Sequence, residues 1–138
     1  LYTEIEKMIQ GGVQYFGNGG ALGFDTMAAQ IIIELKKQHP AIRLIMVLPC
    51  RNQDINWKPA DRQRFRDILA QADKIVYVSE KYYPGCMQKR NRYLVDNSAH
   101  CICYLHKNSG GTAYTVRYAQ QLHLNIIRIA QKIEEPAD

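Results

Sequence analysis

Five short apolar runs alternate with helical patterns along this chain, and that alternation limits the fold more than any other feature. The runs cover residues 13–16, 43–48, 74–78, 99–105 and 125–129. Apolar residues recur at helical spacing over 1–10, 25–37, 59–72, 87–97 and 112–122. Residues 43–48 read R-L-I-M-V-L, the nearly continuous apolar pattern of a strand covered on both faces. Strand and helix in regular succession predict an α/β fold, Rossmann-like and three-layered (α/β/α), with a mainly parallel sheet and right-handed crossovers. The expected inward faces are Met27, Ala28, Ile31, Ile32 and Leu35 in the second helix and Phe65, Ile68, Leu69 and Ala72 in the third. In the fifth they are Thr115, Val116, Ala119 and Leu122.

A chain of 138 residues is expected to form a single domain, 1–130, followed by a polar tail, 131–138. It opens on a helix at Leu1, so the domain is expected to lack its N-terminal strand in this chain. No apolar run approaches membrane-spanning length and no signal-peptide pattern is present, which points to the cytoplasm. The net charge of +5 suits an anionic ligand without demanding nucleic acid. The four cysteines, Cys50, Cys86, Cys101 and Cys103, form no C-x-x-C, and no histidine pair sits at finger spacing, so no metal site is expected. They read as free thiols in a reducing compartment, with Cys101 and Cys103 on one side of their strand.

In parallel sheets of this type ligands bind beyond the carboxyl ends of the strands. Four polar segments here follow strands and are expected to converge on one rim. The first is the turn Gly17-Asn18-Gly19-Gly20-Ala21-Leu22-Gly23 ahead of Asp25, where glycines would let backbone amides and a helix N-terminus approach a phosphate. Asp25 reads either as an N-terminal charge on its helix or as an acceptor for a ribose hydroxyl or exocyclic amine. The second segment, Pro49 to Pro59, carries Trp57, and the third carries Tyr82 and Tyr83; these rings either stack on a base or pack down as lids. The fourth, Ser109-Gly110-Gly111-Thr112, is a second glycine turn that holds an anion or merely caps its helix, with Thr115 one turn further in. Arg90, near the start of the fourth helix, is placed to take a phosphate bidentately or to stand on a solvated face.

Several spaced motifs together resemble the YpsA-like proteins of the SLOG superfamily. They are G-G-A-L-G-F-D-T-M-A-A, L-P-C-R-N-Q with Trp57 downstream, Y-P-G-C-M-Q-K-R-N-R-Y-L-V-D and G-G-T-A-Y-T-V-R-Y-A, and they span about residues 11–129. That superfamily also holds the DNA-processing protein A Rossmann domain and the LONELY GUY phosphoribohydrolases. The resemblance implies a Rossmann-like domain that binds a nucleotide or nucleotide-derived ligand, a sensor or regulatory module of uncharacterised function. It marks Gly19, Gly20, Gly23 and Asp25 as a first ligand loop, Arg90 and Asn91 as the match to the R-N-R of the DNA-processing family, and Gly110, Gly111, Thr112 and Thr115 as a second loop. The phosphoribohydrolases carry P-G-G-x-G-T-x-x-E, whereas here Thr115-Val116-Arg117 follows and the glutamate is missing. Carboxylates stabilise the oxocarbenium-like centre of glycosidic hydrolysis, so the reading leans away from an enzyme. Family members also begin with a strand ending in T-G-H-R, which is absent here. The alternatives are an N-glycosidic hydrolase acting on nucleotides and a single-stranded nucleic-acid binder; self-association is compatible with all three.

Overall fold

The computed structural model describes residues 1–104 and 111–128. It divides into two compact units, Leu1–Cys86 and Met87–Asp138.

In the first unit α1 (Tyr2–Gln10), β1 (Tyr15–Asn18), α2 (Phe24–Lys36), β2 (Arg43–Leu48), α3 (Pro59–Gln71) and β3 (Lys74–Tyr77) follow in turn. The strands lie in the order β1-β2-β3 and all pairs are parallel, with Tyr15 opposite Arg43 and Ile45 opposite Lys74. The central strand is the apolar one: Leu44, Met46, Val47 and Leu48 are each no more than 2% exposed. Onto it α2 packs Ala29, Ile32 and Leu35, while α3 buries Phe65 and Ile68. Met27, expected inward, is exposed. It stands two residues, about 200° of helix, from Ala29, and so faces the other way.

β1 begins two residues later than the apolar run suggests. Gly11, Gly12 and Val13 still belong to the end of α1, their amides donating to the carbonyls of Lys7, Ile9 and Met8. Gly12, at φ +100°, makes the turn that only glycine enters without strain. The strand therefore runs on to Asn18, which brings a polar side chain to its carboxyl end.

The second unit contains α4 (Cys86–Asp96) from its second residue on, β4 (His100–Cys103), α5 (Gly111–Gln121) and β5 (Asn125–Arg128). β4 and β5 pair in parallel, His100 opposite Asn125. Ala113, Val116 and Ala119 form the buried stripe of α5, and Val95 is buried on α4. Leu122, expected on that stripe, is exposed, because α5 ends at Gln121 and the chain turns through His123 at φ 62°. Two α4–α5 hydrogen bonds join residues one turn apart on each helix: Arg92 donates to the Tyr114 hydroxyl at 3.3 Å, and the Tyr118 hydroxyl donates to Asp96 at 2.7 Å. Leu105, Ile129 and the expected tail, 131–138, lie outside the described residues.

Alternating helices and parallel strands make this a Rossmann-like α/β fold. Among the described residues no helix is long and apolar enough to cross a membrane.

Candidate functional site

In the first unit the loops that leave the three strands are tied to one another. The loop after β1 is organised by Asn18, which is 6% exposed. Its Oδ1 accepts the Gly20 amide at 2.9 Å, and its Nδ2 donates to the Asp25 carbonyl at 2.8 Å. One amide side chain thus spans the glycine turn and grips the first turn of α2. The Asp25 carboxylate reaches back to accept the Ala21 amide at 3.1 Å, and the Thr26 hydroxyl donates to the Ala21 carbonyl at 3.3 Å.

The two left-handed glycines of this loop differ in their surroundings. At Gly20, φ +71°, a Cβ would come within 2.6 Å of Leu48 Cδ2 and 3.2 Å of both Gln53 Nε2 and Phe65 Cε1. This glycine is required by the core beneath it as well as by its backbone. At Gly23, φ +86°, a Cβ would meet nothing within 4 Å. Gly23 is the N-cap of α2 and is exposed, as is Leu22 beside it. Among the described residues the Leu22 and Gly23 amides find no acceptor. Sequence reasoning aimed the Gly19-Gly20 amides at an anion; the Gly20 amide is instead satisfied by Asn18, and the open donors lie two residues on.

The loop after β2 folds onto this turn. Gln53 Nε2 donates to the Gly20 carbonyl at 3.0 Å. Trp57 stands edge-on to Phe65, ring centroids 5.0 Å apart, and Phe65 is the ring beneath Gly20. Asp54, 5% exposed, anchors the middle of the loop to α3 through Arg62 at 3.4 Å and Arg66 at 3.6 Å. Pro49 is fully buried and contributes to the core rather than to the rim surface.

The same loop also meets the segment after β3. Arg51 Nε contacts Glu80 Oε2 at 2.6 Å, and its guanidinium lies 4.3 Å from the centre of the Tyr77 ring. The Arg51 hydrogen bond and charge hold the Glu80 carboxyl below its usual range. Tyr83 belongs to this third segment and is 40% exposed; its carbonyl accepts the Cys86 amide that opens α4.

Gly19, Gly20, Ala21, Gly23, Asp25, Pro49 and Trp57 therefore come together around the carboxyl ends of β1 and β2. Arg90, Asn91, Gly111, Thr112 and Thr115 belong to the second unit. There Arg90, 6% exposed, donates from Nε to Asn91 Oδ1 at 2.7 Å. Gly111 is the first residue of α5, Thr112 is exposed and Thr115 half-buried. Ser109 and Gly110 lie outside the described residues. Sequence reasoning missed Asn18, Gln53 and the Arg51–Glu80 pair. For Asn18 a signal existed: a polar residue closing an apolar run directly before two glycines. For Gln53 none did, since it is one amide among several in a polar loop.

A cleft of about 220 Å³ lies elsewhere, lined by Ile32, Ile33, Lys36, Lys37, Leu44 and Gln71. It sits toward the amino end of β2, away from the loops. The Lys36 ammonium at its edge is already held by the Asp73 carboxylate.

The family model that matches this chain is that of YpsA, the YspA SLOG family, over residues 1–131. The chain is 33% identical to the UPF0398 protein BH1768 of Halalkalibacterium halodurans, over 86% of this chain and 64% of that protein. It is 32% identical to the uncharacterized SPbeta prophage-derived protein YoqJ of Bacillus subtilis, over 90% of this chain and 80% of that one. The chain thus spans a little under two thirds of the first of these relatives.

Proposed function

This chain belongs to the YpsA family of SLOG proteins, and on that premise we propose that it binds a nucleotide or nucleotide-derived small molecule at the loops leaving β1 and β2, as a sensor or regulatory module. The observation that carries this reading is the bond from Gln53 to Gly20, which fuses two strand-end loops into one preformed edge. Beside that edge the Leu22 and Gly23 amides, which find no acceptor among the described residues, precede an α-helix N-terminus that no side chain caps. Such a terminus favours a phosphate oxygen. Asp25, whose carboxylate already takes the Ala21 amide, stands next to it and favours a ligand that also brings a hydroxyl or an exocyclic amine. A ribose phosphate offers both. The proposed compartment is the cytoplasm, in keeping with four free thiols.

The test is thermal unfolding of the chain with adenine nucleotides, ADP-ribose and cyclic nucleotides. At about 100 times Kd a bound ligand adds roughly 2.7 kcal/mol of stability. Leu22→Asp places a negative charge at the open amides on an exposed side chain. It should unfold like the parent when free and lose most of the ligand response. Silence of the parent toward the whole panel would remove the reading, and so would an undiminished response in Leu22→Asp.

A further inference from the structure

Asn18 stands directly before Gly19, whereas each of the other six asparagines precedes a residue that carries a side chain. In an Asn-Gly pair the backbone nitrogen of the glycine can close on the carboxamide carbon of the asparagine, because no Cβ shields that nitrogen. In the folded chain the Asn18 carboxamide is held at both ends. Its Oδ1 accepts the Gly20 amide at 2.9 Å, and its Nδ2 donates to the Asp25 carbonyl at 2.8 Å. The residue is 6% exposed and is registered against Met46 in the sheet.

These bonds decide when the reaction runs. Ring closure turns the carboxamide carbon toward the Gly19 nitrogen, and water must then reach the ring. A buried carboxamide fixed to Gly20 and Asp25 permits neither, so the folded turn is protected and an opened one is not. What opposes opening is local. Beyond Asn18 itself, the Asp25 carboxylate ties the turn at the Ala21 amide and Gln53 ties it at the Gly20 carbonyl. Leu22 and Gly23, next along the loop, are exposed. A surface loop held in this way opens at a lower free energy than the whole unit unfolds.

We propose that Asn18 is a deamidation site gated by local opening of the glycine turn. In the opened turn the Gly19 nitrogen forms a bond to Asn18 Cγ, the Cγ–Nδ2 bond breaks, and ammonia leaves with the proton given up by the Gly19 amide. Water then opens the cyclic imide at either carbonyl and leaves aspartate or isoaspartate at position 18. Nothing is oxidised or reduced. Neither product restores the turn. At neutral pH both lack a donor for the Asp25 carbonyl. Isoaspartate also lengthens the main chain just ahead of Gly20, where a Cβ would already come within 2.6 Å of Leu48. Each reacted chain thus loses the glycine turn permanently. The proposal stands apart from the nucleotide reading, since it uses only the chain's own atoms and water.

Native and guanidinium-unfolded chains are incubated in mildly alkaline buffer and digested, and the peptide carrying Asn18 is followed by mass spectrometry. The unfolded chain should convert Asn18 at least about tenfold faster than the native chain and yield both aspartate and isoaspartate. Gln53→Ala, which cuts the tie to the neighbouring loop, should speed the native reaction about fivefold, the factor that one neutral hydrogen bond represents. Asp73→Asn weakens the same unit at the far end of the sheet and should leave the native rate unchanged. Equal rates in the native and unfolded parent, or an unreacted Asn18 in both, would overturn the proposal without any variant having to fold. So would a rate in Gln53→Ala no higher than that in Asp73→Asn, since the gate would then be global unfolding and not the turn.

Discussion

Gln53 Nε2 donates to the Gly20 carbonyl at 3.0 Å, joining the loop after β2 to the glycine turn after β1. Neither loop is held in place by its own residues alone. The glycine turn is fixed to its strand and helix by Asn18 and Asp25, and the long polar loop is fixed to α3 by Asp54. Their mutual register rests on Gln53 and on the Trp57–Phe65–Gly20 stack.

Gln53→Ala should therefore lower stability by about 1 kcal/mol, the usual worth of one neutral hydrogen bond. Its effect on ligand response should be larger than on stability, since the two loops then move independently. Denaturant unfolding and the thermal-shift screen together check this; an equal loss in both would mean that the bond is only structural.

Gly20→Ala and Gly23→Ala separate packing from backbone strain. Both glycines have positive φ, +71° and +86°, so both substitutions cost about 1–3 kcal/mol through the backbone. Only at Gly20 does the new methyl meet Leu48 at 2.6 Å, which adds about 1–3 kcal/mol of overpacking. Gly20→Ala should unfold at clearly lower denaturant than Gly23→Ala. Identical midpoints would contradict the close approach to Leu48.

The order of elements was legible because each is short and keeps one period: R-L-I-M-V-L reads as a central strand and is one. The boundaries were less so. Val13 looks like a strand residue by composition, but its amide is drawn to Met8 by the turn at Gly12, a tertiary detail that no periodicity carries. The glycine turn and the place of Asp25 in the first turn of α2 were readable from spacing. What they bond to was not, since the partners of Gly20 come from β1, from the following loop and from α3 at separations that only the fold closes. Pro49 illustrates the same limit: its place after a strand suggested a rim residue, and its ring is core.

Asn18→Asp tests the two-ended role of the Asn18 amide. The carboxylate still accepts the Gly20 amide but has no donor for the Asp25 carbonyl, and it adds a buried charge. A loss of about 2 kcal/mol or more is expected, easing as pH falls and the new carboxyl protonates and regains a donor. Denaturant midpoints at neutral and at mildly acid pH check this; a constant difference would show that the Asp25 contact is idle.

Asp73 joins α2 and β2 at the start of β3, at the far end of the sheet, and its titration makes the join sensitive to acid. Burial pushes its carboxyl upward, but the Lys36 ammonium, the Leu44 amide at 2.8 Å and Arg43 together hold it below its ordinary value of 3.8. A folded pKa lower than the unfolded one means that the unfolded chain binds the proton more readily. The stabilisation is therefore complete above the unfolded value, at about pH 4 and higher, and is lost as pH falls through the folded value. Asp73→Asn should cost about 1 kcal/mol at neutral pH, a figure kept low because the Lys36 pair is partly solvated. The gap between the parent and Asp73→Asn should narrow below about pH 4, as the parent loses what the variant never had. Unfolding curves from pH 7 down to pH 2 decide it: parallel acid limbs would mean that the Asp73 charge contributes nothing to the join between Lys36 and Leu44.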